Sequence, residues 1–195
     1  MARGMEYAFA MTGKASAPAR TRGGSTTREE WMLTGKERES FALEVMEEVR
    51  RWPGVEMRPH PSAVTAGESD GVEFRLSGRQ IGHLHSDCAV HLSLTRALKE
   101  SVVKESLAEP LPLAPSSGWT MFNPMIPGDA ARAIWLLRLN YIRLRRQRLT
   151  PLASASSVLL QRHEAALGTI STGVTSVLRR TQARSKPRPM PELGA

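Results

Sequence analysis

The sequence predicts an α+β domain: an antiparallel sheet of about four or five strands flanked by an N-terminal and a C-terminal helix, with disordered tails. Three observations lead there. Apolar residues recur at helical spacing early and late in the chain, alternating segments joined by a turn signal fill the middle, and both ends lack any period.

Residues 1–30 mix Gly, Ser, Thr, Ala and Arg, a composition that cannot offset its own ordering entropy by burial, so a disordered tail is expected. A helix is expected after Thr34 and Gly35 as far as Arg51, because Phe41, Val45, Glu48 or Val49 and Trp52 follow three-to-four spacing. Pro53 and Gly54 stop it. The segments VEMRPH and GVEFRLSGRQIGHLH then alternate or carry β-branched residues, with Ser77-Gly78 as a tight turn between hairpin strands. A third strand, about Cys88 to Leu94, completes an antiparallel meander.

Residues 96–107 place Leu98, Val102 or Val103 and Leu107 on one side and charges on the other, as a surface helix does. The Pro-rich stretch EPLPLAPSSG ends that helix, and GWTMF reads as a short strand. Asp129 is expected to cap a long helix through about Arg148, with Ala133, Ile134, Leu137, Tyr141 and Leu144 as its apolar stripe. Its RLRRQR end falls where the helix macrodipole favours positive charge. After Pro151, one weak helix interrupted by Gly168 and Gly173 is expected, and the last dozen residues read as unfolded. The organisation is thus a tail over 1–30, an α+β domain over 35–148 and a weakly helical, basic extension over 149–195.

With 195 residues the chain is long enough for one domain of ordinary size. No run matches the roughly 18–20 apolar residues of a membrane span, and the first 30 residues lack a continuous apolar signal segment, so no membrane partner and a cytoplasmic location are expected. The single cysteine, Cys88, makes no internal disulfide and reads as a small buried strand residue. The formal charge of +8 is concentrated late: twelve Lys or Arg lie from Arg132 onward against two acids, Glu164 and Glu192. A basic extension of this kind can meet nucleic acid, but no aromatic platform is interleaved with it, and nucleic acid is not the expected partner.

The chemistry concentrates in IGHLHSDCAVHLSL, where His83, His85, Asp87 and His91 occupy alternating positions. In one extended strand all four side chains would line the same wall. A turn at Ser86-Asp87 instead puts His91 on a separate strand, where parity decides nothing. Imidazole and carboxylate titrate or ligate metals near neutral pH, so the cluster suits acid–base work, metal binding or purely structural hydrogen bonding. Trp52 and Trp135 read as core residues. Arg75 and Arg79 flank the hairpin turn as exposed charges, or hold an acidic substrate at the cleft mouth. Gly82 marks either a bulge or a close backbone approach beside the histidines.

The order WPGV, GVEFR, a polar turn, RQIGHLHSDCAVHLSL, a helix, a Pro-rich loop, SGWTMF and a helix ending LLRLNY resembles the luciferase domain. That domain is shared by fungal luciferases and many small bacterial luciferase family proteins, and the resemblance covers about residues 38–146. It implies oxygenase-type chemistry: the fungal enzymes oxidise a hydroxylated hispidin with molecular oxygen and emit light as a strained peroxide loses carbon dioxide. No organic cofactor is implied, and the partner implied is a small aromatic or enolic substrate. Against the fungal pattern, no hydrophobic N-terminal anchor is expected from residues 1–30, and the segment between the paired histidines and Asp87-Cys88 is shorter.

Under that resemblance His83 or His85 is the expected base, Asp87 orients an imidazole, and His91 donates to a developing enolate oxygen. Phe74 and Trp119 are expected as aromatic walls, with Arg75 as a further substrate contact. The alternative to a cofactor-free site is non-haem iron held by the same His and Asp cluster. The rival functions are a non-catalytic small-ligand or protein-binding module of the same fold, and a nucleic-acid-associated protein acting through the basic extension.

Overall fold

The first helix, α1 (Gly35–Arg50), begins in a reciprocal cap. Thr34 Oγ1 accepts the Glu37 N–H at 3.4 Å while Glu37 Oε2 accepts the Thr34 N–H at 2.7 Å. The structure, a computed structural model, describes residues 33–126, 128–147 and 154–183. The expected N-terminal tail and the last dozen residues lie outside the described residues.

After α1 the chain builds β1 (Val55–Pro61), β2 (Ser69–Leu76), β3 (Arg79–Leu84) and β4 (Val90–Ser93) as successive antiparallel neighbours. Helix α2 (Arg96–Lys104) follows, then β5 (Glu109–Pro110) and β6 (Trp119–Phe122). The sheet has six strands in the order β1-β2-β3-β4-β6-β5. That exceeds the expected four or five by the two-residue β5, which is too short to leave an alternation in the sequence. The β2–β3 turn is the expected one: Ser77 and Gly78 have φ of 49° and 80°, the paired positive values of a type I′ hairpin.

Period-two alternation divides the sheet into two faces. Val72, Phe74, Leu84, Val90 and Leu92 are buried on the face against which α3 (Asp129–Arg146) packs, and α1 packs on α3. Gly82 sits between β4 and this helix: a Cβ there would meet His91 O at 2.5 Å and Leu137 Cδ2 at 2.9 Å. It also adjoins a bulge, because Phe74 pairs with Gly82 and Arg75 with Gln80, leaving Ile81 as the extra residue. Asn140, 0% exposed, donates through Nδ2 to Ile81 O at 2.5 Å and Ser93 O at 3.2 Å, fastening α3 to two strands at once.

Two expected details of α3 are corrected. Gly128 occupies the N-cap and Asp129 is the first helical residue, its Oδ2 accepting the N–H groups of Met125 at 2.7 Å and Ile126 at 3.1 Å. The arginines at its C-terminal end are not all a solvated cationic tip, since Arg143 is buried. Beyond it, α4 (Ser154–Ala165) and α5 (Thr172–Ala183) are separated at Gly168, whose φ is 64°, whereas Gly173 lies inside α5. Leu167, Val174, Val177 and Leu178 join the core, and Trp135 Nε1 donates to Leu167 O at 2.8 Å. Trp52 is buried in the same core. Among the described residues, no helix is long and apolar enough to cross a membrane.

Cys88 is buried, and that burial pushes its thiol up to about 11. It should therefore resist iodoacetamide at neutral pH in the folded protein and react once denaturant unfolds the chain; rapid modification without denaturant would contradict its placement. Gly82→Ala should lower unfolding free energy by about 1–3 kcal/mol, as overpacking does. A denaturation midpoint equal to that of the unaltered protein would show that α3 and β4 do not approach so closely.

Candidate functional site

The face turned away from α3 carries a cross-strand row. Glu73 pairs with His83, His83 with His91, and His91 with Met121. After β3 the chain turns: the Cys88 N–H bonds to His85 O at 3.0 Å and the His85 N–H to Ala89 O at 2.9 Å. His91 thus lies on the next strand, and register rather than parity returns it to the other imidazoles.

His83 Nε2 and His85 Nε2 each lie 3.1 Å from His91 Nδ1. A fourth ring joins from β1. His60 stacks on His83 with centroids 3.7 Å apart and meets His85 edge-on at 5.2 Å. One nitrogen from each of His60, His83 and His85 falls within 4.8 Å of the others, a grouping that can hold a metal ion. His60 Nδ1 is buried without a hydrogen-bond partner.

A second layer orients these rings. Asp70 Oδ2 lies 2.8 Å from His85 Nδ1, and its Oδ1 accepts the Ser86 hydroxyl at 2.5 Å. Gln80 holds His83 Nδ1 at 2.7 Å with an amide that can present either end. Both Nδ1 atoms are therefore engaged, and both Nε2 atoms point at His91. With an Nδ1 proton directed at Asp70, His85 turns its Nε2 toward His91 Nδ1. A proton on His91 Nδ1 can satisfy one of the two facing nitrogens fully, not both; a shared proton or a cation answers the whole set.

Electrostatics disfavours charge on His60, His83 and His91. Burial, reinforced by neighbouring imidazoles, pushes His83 down to about 2 and His91 down to about 4, and burial followed by His85 lowers His60 as well. Burial works against an ionised Asp70, but the bonds from Ser86 and His85 outweigh it and hold the carboxyl below its ordinary range. Neutral imidazole is the form that accepts protons or ligates metals.

The expected site residues separate in the fold. His83, His85 and His91 come together, and Trp119 lies beside them with its ring 5.5 Å from that of His83. Asp87 does not orient an imidazole: it is exposed in the turn, and its Oδ1 accepts the Ala89 N–H at 3.0 Å. Asp70 does that work instead. Phe74 is not a wall, because its position in β2 sends it to the helix-covered face, 0% exposed. Arg75 shares the histidine face but is engaged by Glu73 at 2.9 Å and Gly78 O at 2.5 Å.

His60, Asp70 and Gln80 were not legible as site residues. For His60 a signal existed: Met57 pairs with Phe74 and Arg58 with Glu73, so even positions in β1 share the histidine face. Reading it required the β1–β2 register.

A pH dependence follows. The unfolded value is 6.5 and the folded values of His83 and His91 lie below it, so on acidification the unfolded chain binds protons that the folded chain refuses. Stability from this source is present above about pH 6.5 and is lost as pH falls toward the folded values. Chelator-treated protein should melt at a lower temperature near pH 5 than near pH 7.5, with the difference reduced in His83→Gln. An equal or higher melting temperature in acid would contradict the buried neutral cluster.

Residues 78–140 match the family described as Luciferase domain. The matched segment runs from the β2–β3 turn into α3 and includes Gln80, His83, His85, His91 and Trp119, while His60 and Asp70 precede it. No curated protein and no solved structure matches the chain. That segment, about a third of the chain, is where the likeness to the luciferase domain is found.

Proposed function

We propose that His60, His83, His85 and His91 bind a first-row divalent transition-metal ion, and that the protein is an enzyme using this site in oxygen-dependent chemistry on a small aromatic or enolic compound. One observation carries the metal part: two Nε2 atoms converge at 3.1 Å on His91 Nδ1 while their Nδ1 atoms are engaged elsewhere. Metal–nitrogen bonds of about 2.0–2.1 Å in a tetrahedron separate ligand nitrogens by about 3.4 Å, close to the 3.1 Å between His91 Nδ1 and the Nε2 atoms of His83 and His85. The Asp70–His85 contact has the form of the carboxylate–imidazole pairs that fix ligand tautomers around metals. Imidazole donors suit iron, copper, zinc or nickel, and this all-nitrogen set differs from a two-histidine, one-carboxylate iron centre because Asp70 stands behind a ring.

A bound ion would favour ionisation of a phenol or enol and stabilise the charge that develops on oxygen. The chain's own groups do the rest. Trp119 offers a stacking wall for an aromatic ring beside His83, and Asp70 and Gln80 hold the imidazoles at fixed angles. Oxygen as co-substrate is supported by the family likeness, which bears on chemistry only by analogy. The Asp70–His85 pair also supports a metal-free reading, in which His85 Nε2 takes the substrate proton.

Metal uptake by the purified chain separates the two readings. One ion per chain is expected, with loss of uptake in His83→Ala and His85→Ala that remain folded, and of oxygen consumption with substrate. Asp70→Asn should weaken affinity about 10–100-fold, and Asp87→Asn should leave it unchanged. Turnover that persists in exhaustively chelated protein would overturn the metal assignment and leave His85 as a base.

A further inference from the structure

Beside the imidazole face lies a hollow whose lining includes Arg79, Gln80, Ser93, Thr95, Trp119 and Arg143. Two of these also touch the histidines: Gln80 holds His83 Nδ1 at 2.7 Å, and the Trp119 ring lies 5.5 Å from that of His83. The hollow and the imidazoles therefore share a wall.

Its charge is one-sided. Arg143 is 4% exposed, yet its bonds go to neutral acceptors, from Nε to Asn140 Oδ1 at 2.6 Å and from Nη2 to Ser93 O at 3.0 Å. Arg79 donates through Nη1 to Gln147 Oε1 at 2.5 Å. Among the described residues neither guanidinium has a carboxylate within ion-pair distance, whereas Arg51, Arg58, Arg75, Arg138 and Arg146 each have one. Arg143 and Arg79 instead face each other's charge, which together with the larger effect of burial lowers Arg143 to about 10. Burying a cation without a counter-charge is costly, and a neutral side chain of similar size would avoid that cost. A planar, permanently charged fork kept in such a place suits an incoming oxyanion.

We infer that Arg143 and Arg79 form an anion subsite that takes the carboxylate of the substrate, so that the compound handled at the imidazole face is a small aromatic or enolic acid. This rests on the reading of that face as the reaction site. Gln80 and Trp119 link the two, the first holding an imidazole and the second flanking both the anion and the ring that bears it.

Titration calorimetry of the full chain at constant ionic strength tests this, with benzoate and inorganic phosphate as probes, before and after chelation. Saturable benzoate binding is expected, tighter than that of phosphate and retained after chelation. Arg79→Ala, which alters an exposed side chain and should fold normally, is expected to weaken it about tenfold, as is Arg143→Lys, which keeps the charge but loses the fork. Both variants should still take up metal. The proposal is overturned by absence of saturable benzoate binding, by preference for phosphate, by wild-type affinity in both variants, or by loss of binding on chelation, which would place the anion on the metal. If no metal is taken up but benzoate still binds through the two arginines, the subsite stands and the metal reading alone fails.

Discussion

The antiparallel register that sets His83 opposite His91 is the constraint on which the site depends. Four imidazoles come from β1, the end of β3 and β4, and a one-residue slip in either partner strand would turn rings into the helix-packed face. Several features pin that register. The Ser77-Gly78 turn starts β3 at a defined position, the bulge at Ile81 shifts its remaining residues by one, and Asn140 bonds to backbone oxygens of both β3 and β4. Gly82 lets α3 and β4 close on the same spot.

Packing on one face thus organises chemistry on the other. The core residues Phe74, Leu84, Val90 and Leu92 alternate with Glu73, His83 and His91 along the same strands. Burial deep enough to stabilise the sheet also desolvates the rings, and desolvation is the main reason that His83 and His91 stay neutral. His91 Nδ1 faces two Nε2 atoms and a single proton there serves only one of them fully, a cost that a bound cation would remove. Asp70 supplies negative charge one hydrogen bond further out, where it would stabilise a bound cation without being its ligand.

Most elements were legible because their signals are local: helical spacing from Phe41 to Val49, alternation through GVEFRL, and positive-φ residues at the hairpin turn. The three clustered histidines were legible as well, although the wall drawn from their parity was an incomplete picture, since the turn at Ser86-Asp87 intervenes. What escaped depended on pairing across strands. Asp87 adjoins the histidines in sequence but its carboxylate is used by its own turn, while Asp70, fifteen residues before His85, reaches the ring because β2 lies beside β3. Phe74 was expected in the cleft on the strength of its type; its partners Met57 and Gly82 show it on the other face. Arg143 was masked by a sufficient local explanation, a cationic helix end, and only its burial beside Ser93 distinguishes it from Arg145 or Arg146.

The central claim is that this chain gathers imidazole nitrogens around one ion. X-ray absorption spectroscopy at the edge of the bound metal measures it most directly. The account predicts a first shell dominated by imidazole nitrogen at about 2.0–2.1 Å with the outer-ring scattering characteristic of histidine. A shell of oxygen alone, or an unchanged spectrum in His83→Ala, would contradict it.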